Sequence, residues 1–303
     1  MEEFQDDIIS YFEENCHKVS DYDELFEAIS KTFLEKKLPI LFGYILKTKS
    51  DIKLLNKTIR YINKLKLKDN LCDLTDFILK PLNNNSFSDL KVLAIKTISI
   101  FKDTSCVQAL LYCLNDKNSN YKIRLAAADA LGKIGDKTAF ETLGKIASDE
   151  GEKSVYVRES AASALGMLGD NRALDIFESI INTKQMFLDK FSYLKEKIVE
   201  AMSRLDIEKD KKAYEILKNS LLDQSESVRI ASIETIMNSN IKDSYELIYE
   251  RLKSDDSLEV KKNALVALYN ISDRAILDEA INGDYPEEIK QYAKEIIEEY
   301  END

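Results

Sequence analysis

The stretch IRLAAADALGKIGD, from Ile123 to Asp136, recurs 34 residues later as VRESAASALGMLGD, from Val157 to Asp170. With the first residue of each stretch numbered one, apolar or small residues occupy positions 1, 5, 8, 9 and 12, which is the spacing of one face of an α-helix. Segments of this pattern begin at Leu54, Leu90, Ile123, Val157, Leu194, Val228, Val260 and Ile289. A further amphipathic stretch precedes each segment, so the pattern predicts a series of stacked helical hairpins.

Composition agrees with a helical protein. The chain has 303 residues with only 8 Gly and 3 Pro, too few turn residues for a β-sandwich or a barrel. No run of about 18 apolar residues is present, and the widely spaced cysteines indicate free thiols in a reducing compartment. The net charge of −12 argues against nonspecific nucleic-acid binding. We therefore expect a cytoplasmic protein without a membrane span that is unlikely to bind nucleic acid. We also expect it to be a monomer.

Position 2 of the segments shows a second regularity, because it is basic in seven of the eight. These residues are Lys91, Arg124, Arg158, Lys195, Arg229, Lys261 and Lys290. A carboxylate or amide stands six residues before each of them, namely Asn85, Asn118, Glu152, Asp189, Asp223, Asp255 and Asp284. A polar group there can accept backbone N–H groups at a helix start, and we expect the basic group to pair with it within or across repeats. The pattern predicts a structural ladder in preference to a phosphate site.

The two quoted stretches resemble HEAT repeats, specifically the short HEAT-like type found in phycobilisome lyases. The resemblance is looser from Leu90 to the C-terminus and weak before Leu54. It implies an all-α fold, a right-handed α–α superhelix (an α-solenoid) of about eight hairpins whose second helices line the concave side. We predict one continuous domain over residues 1–303, with capping helices at 1–50, repeats at 51–284 and a capping helix at 285–303.

The chain has one histidine, His17, which limits the chemistry that HEAT-like proteins perform. Deoxyhypusine hydroxylases, a HEAT-repeat family, hold two irons with repeated His-Glu pairs. The corresponding stretches here are Arg158–Ser160 and Arg124–Ala126, which contain no histidine. No cysteine or histidine cluster has the spacing of a zinc site. We therefore expect no catalytic residue, no metal and no cofactor, and we predict that the chain is not an enzyme.

Positions 3, 7 and 10 of the segments point away from the apolar stripe and should face a partner. They combine carboxylates with apolar groups, and the predicted partner-binding residues are Leu125, Asp129, Glu159, Glu196, Glu200, Ile230, Glu234, Met237, Val266 and Tyr269. Such a mixture suits a basic or mixed protein or peptide partner, so we predict a non-catalytic scaffold or adaptor. A merely solvated acidic face is the alternative interpretation.

Residues 50–68 follow a different pattern, with a basic stripe formed by Lys53, Lys57, Arg60, Lys64 and Lys68. A basic amphipathic helix of this kind could bind nucleic acid, an acidic partner or a membrane surface, or could simply be a lysine-rich outer face. HEAT-like alkylpurine DNA glycosylases bind DNA across a basic surface, whereas this chain is acidic and has no Trp. A lyase-type enzyme, or a chaperone for a cofactor-bearing protein, is the remaining alternative that the resemblance implies.

Overall fold

The computed structural model describes residues 6–19, 21–81, 85–183, 191–239, 241, 244–271 and 274–301. The described residues form α-helices joined by turns and loops, some of them short 3-10 turns. The helices are α1 (Asp6–Asn15), α2 (Tyr22–Thr32), α3 (Leu38–Thr48), α4 (Ile52–Leu65), α5 (Leu71–Leu79), α6 (Asn85–Phe101), α7 (Val107–Asn115), α8 (Tyr121–Ile134), α9 (Phe140–Ser148), α10 (Val155–Leu168), α11 (Ala173–Ile181), α12 (Ser192–Met202), α13 (Lys211–Ser220), α14 (Glu226–Asn238), α15 (Tyr245–Ser254), α16 (Leu258–Ile271), α17 (Ala275–Asn282) and α18 (Glu287–Glu301). The predicted all-α repeat fold is confirmed.

The repeated segments coincide with every second helix from α4 to α18, each of which follows a shorter helix in the chain. The residues at positions 1, 5 and 8 are buried in all eight segments, as the helical period requires. Position 5 is completely buried throughout, from Thr58 in α4 to Ala293 in α18. The predicted apolar stripe is therefore the core-facing side of the second helices.

The chain forms two compact units, Met1–Thr142 and Leu143–Asp303, and the boundary between them falls within α9. In the first unit, the second helices α4, α6 and α8 pack in succession, and so do the first helices α3, α5 and α7. In the second unit, α10, α12, α14, α16 and α18 pack in succession. Organisation as one continuous domain, with the boundaries given above, stays a prediction.

Three aromatic side chains pack together at the start of the first unit, two of them in the segment predicted to cap the repeats. The Phe26 ring of α2 lies edge-to-face against Phe42 of α3 and against Tyr61 of α4, with ring centroids 5.1 Å apart in both pairs. All three side chains are buried. The predicted cap thus shares its core with α4, the helix that carries the first repeated segment.

Glycine determines how closely α10 and α12 approach each other. A Cβ atom added to Gly166 of α10 would lie 2.6 Å from the backbone oxygen of Ala201 in α12. Any side chain at this position would therefore collide with the neighbouring helix. A second glycine, Gly169, ends α10 with a φ of +63°, a left-handed conformation that glycine adopts without strain.

None of the helices that the structure describes is both long enough and apolar enough to cross a lipid bilayer.

Candidate functional site

Four of the basic residues at position 2 donate to backbone carbonyls of the preceding helix. Their side chains reach the end of the preceding helix, where carbonyl oxygens lack intrahelical partners and a positive charge is favourable. The bonds join Lys91 Nζ to the Lys80 oxygen (2.5 Å), Arg124 Nε to the Leu114 oxygen (2.9 Å), Arg158 Nε to the Ala147 oxygen (3.0 Å) and Lys261 Nζ to the Lys253 oxygen (3.1 Å). Each of these four bonds joins the second helix of a hairpin to the end of its first helix.

Two pairs in the second unit connect neighbouring repeats through carboxylates. Lys195 of α12 binds Asp223, which precedes α14, at 2.6 Å. Arg229 of α14 binds Asp255, which precedes α16, through two bonds of 2.8 Å. Each carboxylate also accepts the backbone N–H two residues further on, at 2.9 and 3.0 Å. At these two places, the predicted ladder consists of ion pairs that connect neighbouring repeats.

The remaining ladder positions are engaged locally or lie outside the described part of the chain. Lys290 pairs with Glu287 within α18 at 3.3 Å. Asp189 lies outside the described residues. Arg158 is only 2% exposed, and its guanidinium lies over the Phe191 ring at 5.8 Å. Because these side chains support the turns, the position 2 residues form structural contacts.

The predicted basic stripe is not one continuous helical face. The helix α4 ends at Leu65, and the chain then turns through Lys66, whose φ of 54° is left-handed, so Lys68 lies beyond the helix. Lys68 pairs with Asp103 at 2.9 Å, and Lys57 pairs with Asp23. The helix predicted over residues 50–68 is therefore shorter, and two of the five cations face carboxylates.

The other stripe residues have neutral contacts among the described residues. Arg60 donates to the Asn56 side chain at 2.7 Å, and the Lys64 ammonium lies over the Tyr61 ring at 5.3 Å. Lys53 is exposed at the start of α4. Within the described residues, these three cations form no ion pair with a carboxylate, although Arg60 and Lys64 line the same pocket as Asp23 and Glu27. The basic surface is therefore smaller than the predicted stripe.

The predicted partner-binding residues divide between the two units. Leu125 and Asp129 lie on α8 in the first unit, and Asp129 pairs with Lys133 at 2.7 Å. The others lie on α10, α12, α14 and α16 of the second unit. Eight of the ten are half-buried, Glu234 is exposed and Glu159 is buried. We call the side of α10, α12, α14 and α16 that carries positions 3, 7 and 10 the second-helix face.

Acidic groups concentrate where α10 and α12 meet on this face. Lys197 of α12 binds both oxygens of Glu200, at 2.7 and 2.9 Å, and lies 3.7 Å from Glu196. Its ammonium also lies 5.1 Å from the centre of the Tyr193 ring. We call Glu159, Glu196, Lys197 and Glu200 the α10–α12 acidic cluster; it contains three carboxylates and one ammonium.

Glu159 is the most buried member of this cluster, with 8% of its surface exposed. Within the described residues, its carboxylate has no hydrogen bond and no ion pair. Burial raises the pKa of Glu159, an effect that the positive charge of Lys197 opposes and the negative charge of Glu196 reinforces. Neither of its oxygens is among the fully buried side-chain atoms without a hydrogen-bond partner, so the carboxylate reaches solvent although most of the side chain is buried. Groups with a pKa shifted by burial often mark binding sites.

Replacing Glu159 with glutamine is expected to raise the free energy of unfolding at neutral pH, because an amide carries no charge to desolvate. A carboxyl group with a raised pKa binds more protons in the folded chain than in the unfolded chain. Wild-type stability should therefore fall as the pH rises above the ordinary glutamate pKa of 4.5, whereas the variant lacks this contribution. Urea unfolding over a pH series measures the difference, with Glu234→Gln, an exposed position on α14, as the control. A difference that is equal at about pH 4 and about pH 7 would contradict the expectation.

Two members of this environment were not predicted from the sequence. Lys197 stands at position 4 of its segment and Tyr193 immediately precedes position 1, so neither belongs to positions 3, 7 and 10. A helical spacing of three and four residues connects Lys197 to Glu200 and to Tyr193. This spacing could have identified Lys197 and Tyr193 from the sequence.

The structure also brings together three possible metal ligands at the end of α1, where the sequence predicted none. Ligand atoms of Glu13, Cys16 and His17 lie within 4.8 Å of one another. The Glu13 Oε1 atom, however, accepts from Lys49 Nζ at 2.5 Å and from the Tyr44 hydroxyl at 2.8 Å. Burial raises the pKa of Cys16, which keeps its thiol protonated. A neighbouring ammonium and a protonated thiol both oppose cation binding, so we assign no metal to this group.

Comparison with known proteins identifies the repeats. The HEAT repeat family matches residues 75–155 and residues 119–189. No curated protein matches the chain significantly. Among solved structures, the complex of CpcE and CpcF of phycocyanin lyase from Nostoc sp. PCC7120 is similar over 86% of this chain and 87% of that chain, with 20% identity and a TM-score of 0.45. Human deoxyhypusine hydroxylase in complex with glycerol is similar over 88% of this chain and 96% of that chain, with 15% identity and a TM-score of 0.38.

Neither structural likeness supports a conclusion about what this chain binds or does. The family match, by contrast, falls on the hairpins that contain the two stretches first quoted. Residues 75–155 and 119–189 of this chain therefore match HEAT repeats, and they lie within an all-α repeat fold.

Proposed function

We propose that this chain is a non-catalytic scaffold or adaptor whose second unit holds a basic segment of a protein partner on the second-helix face. The observation that carries the proposal is the α10–α12 acidic cluster, which contains three carboxylates and only one ammonium, that of Lys197. A partner with basic side chains would supply the positive charge that the cluster lacks. A cytoplasmic location and a monomeric state stay predictions.

Apolar groups continue the same face beyond the acidic cluster. Ile230 and Met237 of α14 and Val266 and Tyr269 of α16 are half-buried, so part of each side chain is available for contact. Interfaces combine apolar contact of this kind with charge pairs that fix orientation. The face is thus suited to a segment that carries both basic and apolar side chains.

The packing of the helices indicates how long such a segment would be. The helices α10, α12, α14 and α16 pack in succession, and neighbouring helix axes lie about 8–10 Å apart. Three such intervals span about 24–30 Å. An extended chain advances about 3.3 Å per residue, so a segment of about seven to nine residues would cross the face.

Affinity capture from a lysate of the source cells, followed by mass spectrometry, tests the proposal. The baits are the wild-type chain, Glu196→Lys/Glu200→Lys, and the control Glu246→Lys/Glu250→Lys. The control has the same spacing and charge change but lies on exposed positions of α15, in the layer of first helices. A protein retained by the wild type and the control, and lost at least tenfold from the first variant, is the expected result. Equal recovery on all three baits would overturn the proposal.

The basic surface of α4 supports a second candidate, binding of nucleic acid or of an acidic partner. Among the described residues, Lys53, Arg60 and Lys64 form no ion pair with a carboxylate, which is the observation in its favour. A fourth bait, Lys53→Gln/Arg60→Gln/Lys64→Gln, distinguishes it. Recovery that disappears only on this bait, or only after nuclease treatment, would favour this candidate over the second-helix face, because phosphate contacts depend on such cations.

A further inference from the structure

A cavity of about 530 Å³ lies in the first unit, lined by the end of α5, the start of α6 and the turn that joins α7 to α8. Volumes of about 300–1,000 Å³ are typical of pockets that hold small ligands. Leu79, Tyr112 and Ile123 line this cavity together with Lys91 and Asn118. The cavity thus combines apolar side chains with a basic group, which is the combination that binds an amphipathic ligand.

Lys91 is the buried cation of this cavity, with 8% of its surface exposed. Its ammonium has three N–H donors, and one of them binds the Lys80 oxygen at 2.5 Å. Among the described residues, Lys91 forms no ion pair and no second side-chain hydrogen bond. Burial lowers the pKa of Lys91, an effect that Cys113 and Asp116 partly oppose. A desolvated ammonium without a paired carboxylate is unfavourable, so a bound anion would stabilise it.

A corresponding cavity in the second unit shows which group differs. It measures about 650 Å³ and is lined by Arg229 and Asp255, which pair through two bonds of 2.8 Å. Arg229 is the position 2 residue of α14, as Lys91 is of α6, and Asp255 stands six residues before position 2 of the next segment. In the first cavity that place belongs to Asn118, six residues before Arg124. Because an amide carries no charge, the first cavity has the cation of this pair without its carboxylate.

We propose that the cavity at Lys91 binds a small organic acid, whose carboxylate pairs with the ammonium and whose apolar body lies against Leu79 and Tyr112. The ligand would supply the group that Asp255 supplies to Arg229. Tyr112 is 65% exposed and Leu79 is 40% exposed, so both offer apolar surface to a ligand. This site is separate from the second-helix face and does not depend on the proposed function.

A singly charged carboxylate suits the cavity better than a phosphate. Asp116 also lines the cavity, and its two oxygens accept the Asn118 N–H at 3.1 Å and the Ser119 hydroxyl at 2.7 Å. Lys80, the other lysine of the lining, donates its ammonium to two carbonyl oxygens of α3. One ammonium can pair with one carboxylate, whereas a doubly charged phosphate would meet stronger repulsion from Asp116.

The experiment compares 3-phenylpropanoate with its neutral amide, 3-phenylpropanamide, which has a similar shape without the charge. Binding to the full chain is followed by NMR, from the ring proton signals of the ligand. The acid should bind at least tenfold more tightly than the amide, because only the acid supplies a carboxylate to Lys91. Equal affinities, or no measurable binding of the acid at millimolar concentration, would overturn the inference.

Two further probes define the class of ligand. Inorganic phosphate and the tripeptide acetyl-Ala-Glu-Ala-amide should each bind at least tenfold more weakly than 3-phenylpropanoate. Tighter binding of phosphate would mean that the cavity selects another anion. Tighter binding of the tripeptide would make the cavity a site for an acidic protein segment. Either result would overturn the assignment of a small organic acid.

Variants then locate the site. Asn118→Asp introduces the carboxylate that the second cavity has at Asp255, and it should weaken 3-phenylpropanoate at least tenfold because Lys91 then has a partner within the chain. Lys91→Met removes the ammonium and should have the same effect, whereas the control Lys96→Met, at an exposed position of α6, should leave the affinity unchanged.

The exposed position of Asn118 keeps the inference testable if Lys91→Met does not fold. Circular dichroism verifies the folding of each variant. Unchanged affinity in either folded variant would overturn the inference, and so would an equal loss of affinity in Lys96→Met.

Discussion

Replacing Asp255 with alanine is expected to lower the free energy of unfolding by about 3–5 kcal/mol, because it removes one partner of a buried ion pair. Asp255 is 5% exposed and receives two bonds of 2.8 Å from Arg229. It also accepts the Ser257 N–H at 3.0 Å and lies 3.7 Å from Arg251. The alanine variant leaves Arg229 largely buried without its counter-charge and leaves the turn before α16 without its acceptor.

Urea unfolding monitored by circular dichroism measures this loss. The neighbouring Asp256→Ala is the matched control, because Asp256 is exposed in the same turn and changes the net charge by the same amount. We expect the control to alter stability by about 0.5 kcal/mol or less. Equal losses in the two variants would show that the pair with Arg229 contributes nothing specific to the second unit.

Replacing Gly166 with alanine is expected to lower the free energy of unfolding by about 1–3 kcal/mol, although alanine is the better helix former. The new Cβ would lie 2.6 Å from the Ala201 oxygen and 2.8 Å from the Ala201 Cβ. This clash can be relieved only if α10 and α12 move apart, because the oxygen of Ala201 belongs to the backbone and cannot change rotamer.

The control for this variant is Gly144→Ala, in the interior of α9. A Cβ at Gly144 would meet only Cδ1 of Ile176, at 2.7 Å, and a flexible side chain can move aside. The same substitution should therefore be tolerated there, with a gain in helix propensity that offsets the repacking. Thermal unfolding measures both variants, and a smaller loss at Gly166 than at Gly144 would contradict the role of close helix contact.

The fold was predictable because apolar and small side chains recur at the spacing of an α-helix. The segment that begins at Val157 has buried residues at positions 1, 5 and 8, and the same positions are buried in every other segment. The helical period dictates this burial, and no tertiary knowledge is needed to see it. The exact end of α4 was less predictable, since Lys66 adopts a left-handed conformation that usually belongs to glycine.

The partners in the candidate site were only partly predictable. The bond from Arg124 Nε to the backbone oxygen of Leu114 could not be predicted from the sequence, because every residue has a carbonyl oxygen. The residues of the second-helix face followed from helical spacing. That Lys197 would pair with Glu200 and leave Glu159 alone depends on side-chain rotamers in the packed structure.

The close contact at Gly166 has a consequence for recognition. Gly166 stands seven residues after Glu159 on the same helix, about two turns away. Because a backbone atom of Ala201 limits the approach of α10 to α12, the separation of the two helices at this contact is set by rigid groups and does not depend on mobile side chains. A partner of the second-helix face would therefore meet side chains on two helices whose separation is already fixed, and less conformational entropy would be lost when the complex forms. We expect the benefit to appear as a long residence time, because preorganised complexes of this kind differ chiefly in how slowly they dissociate.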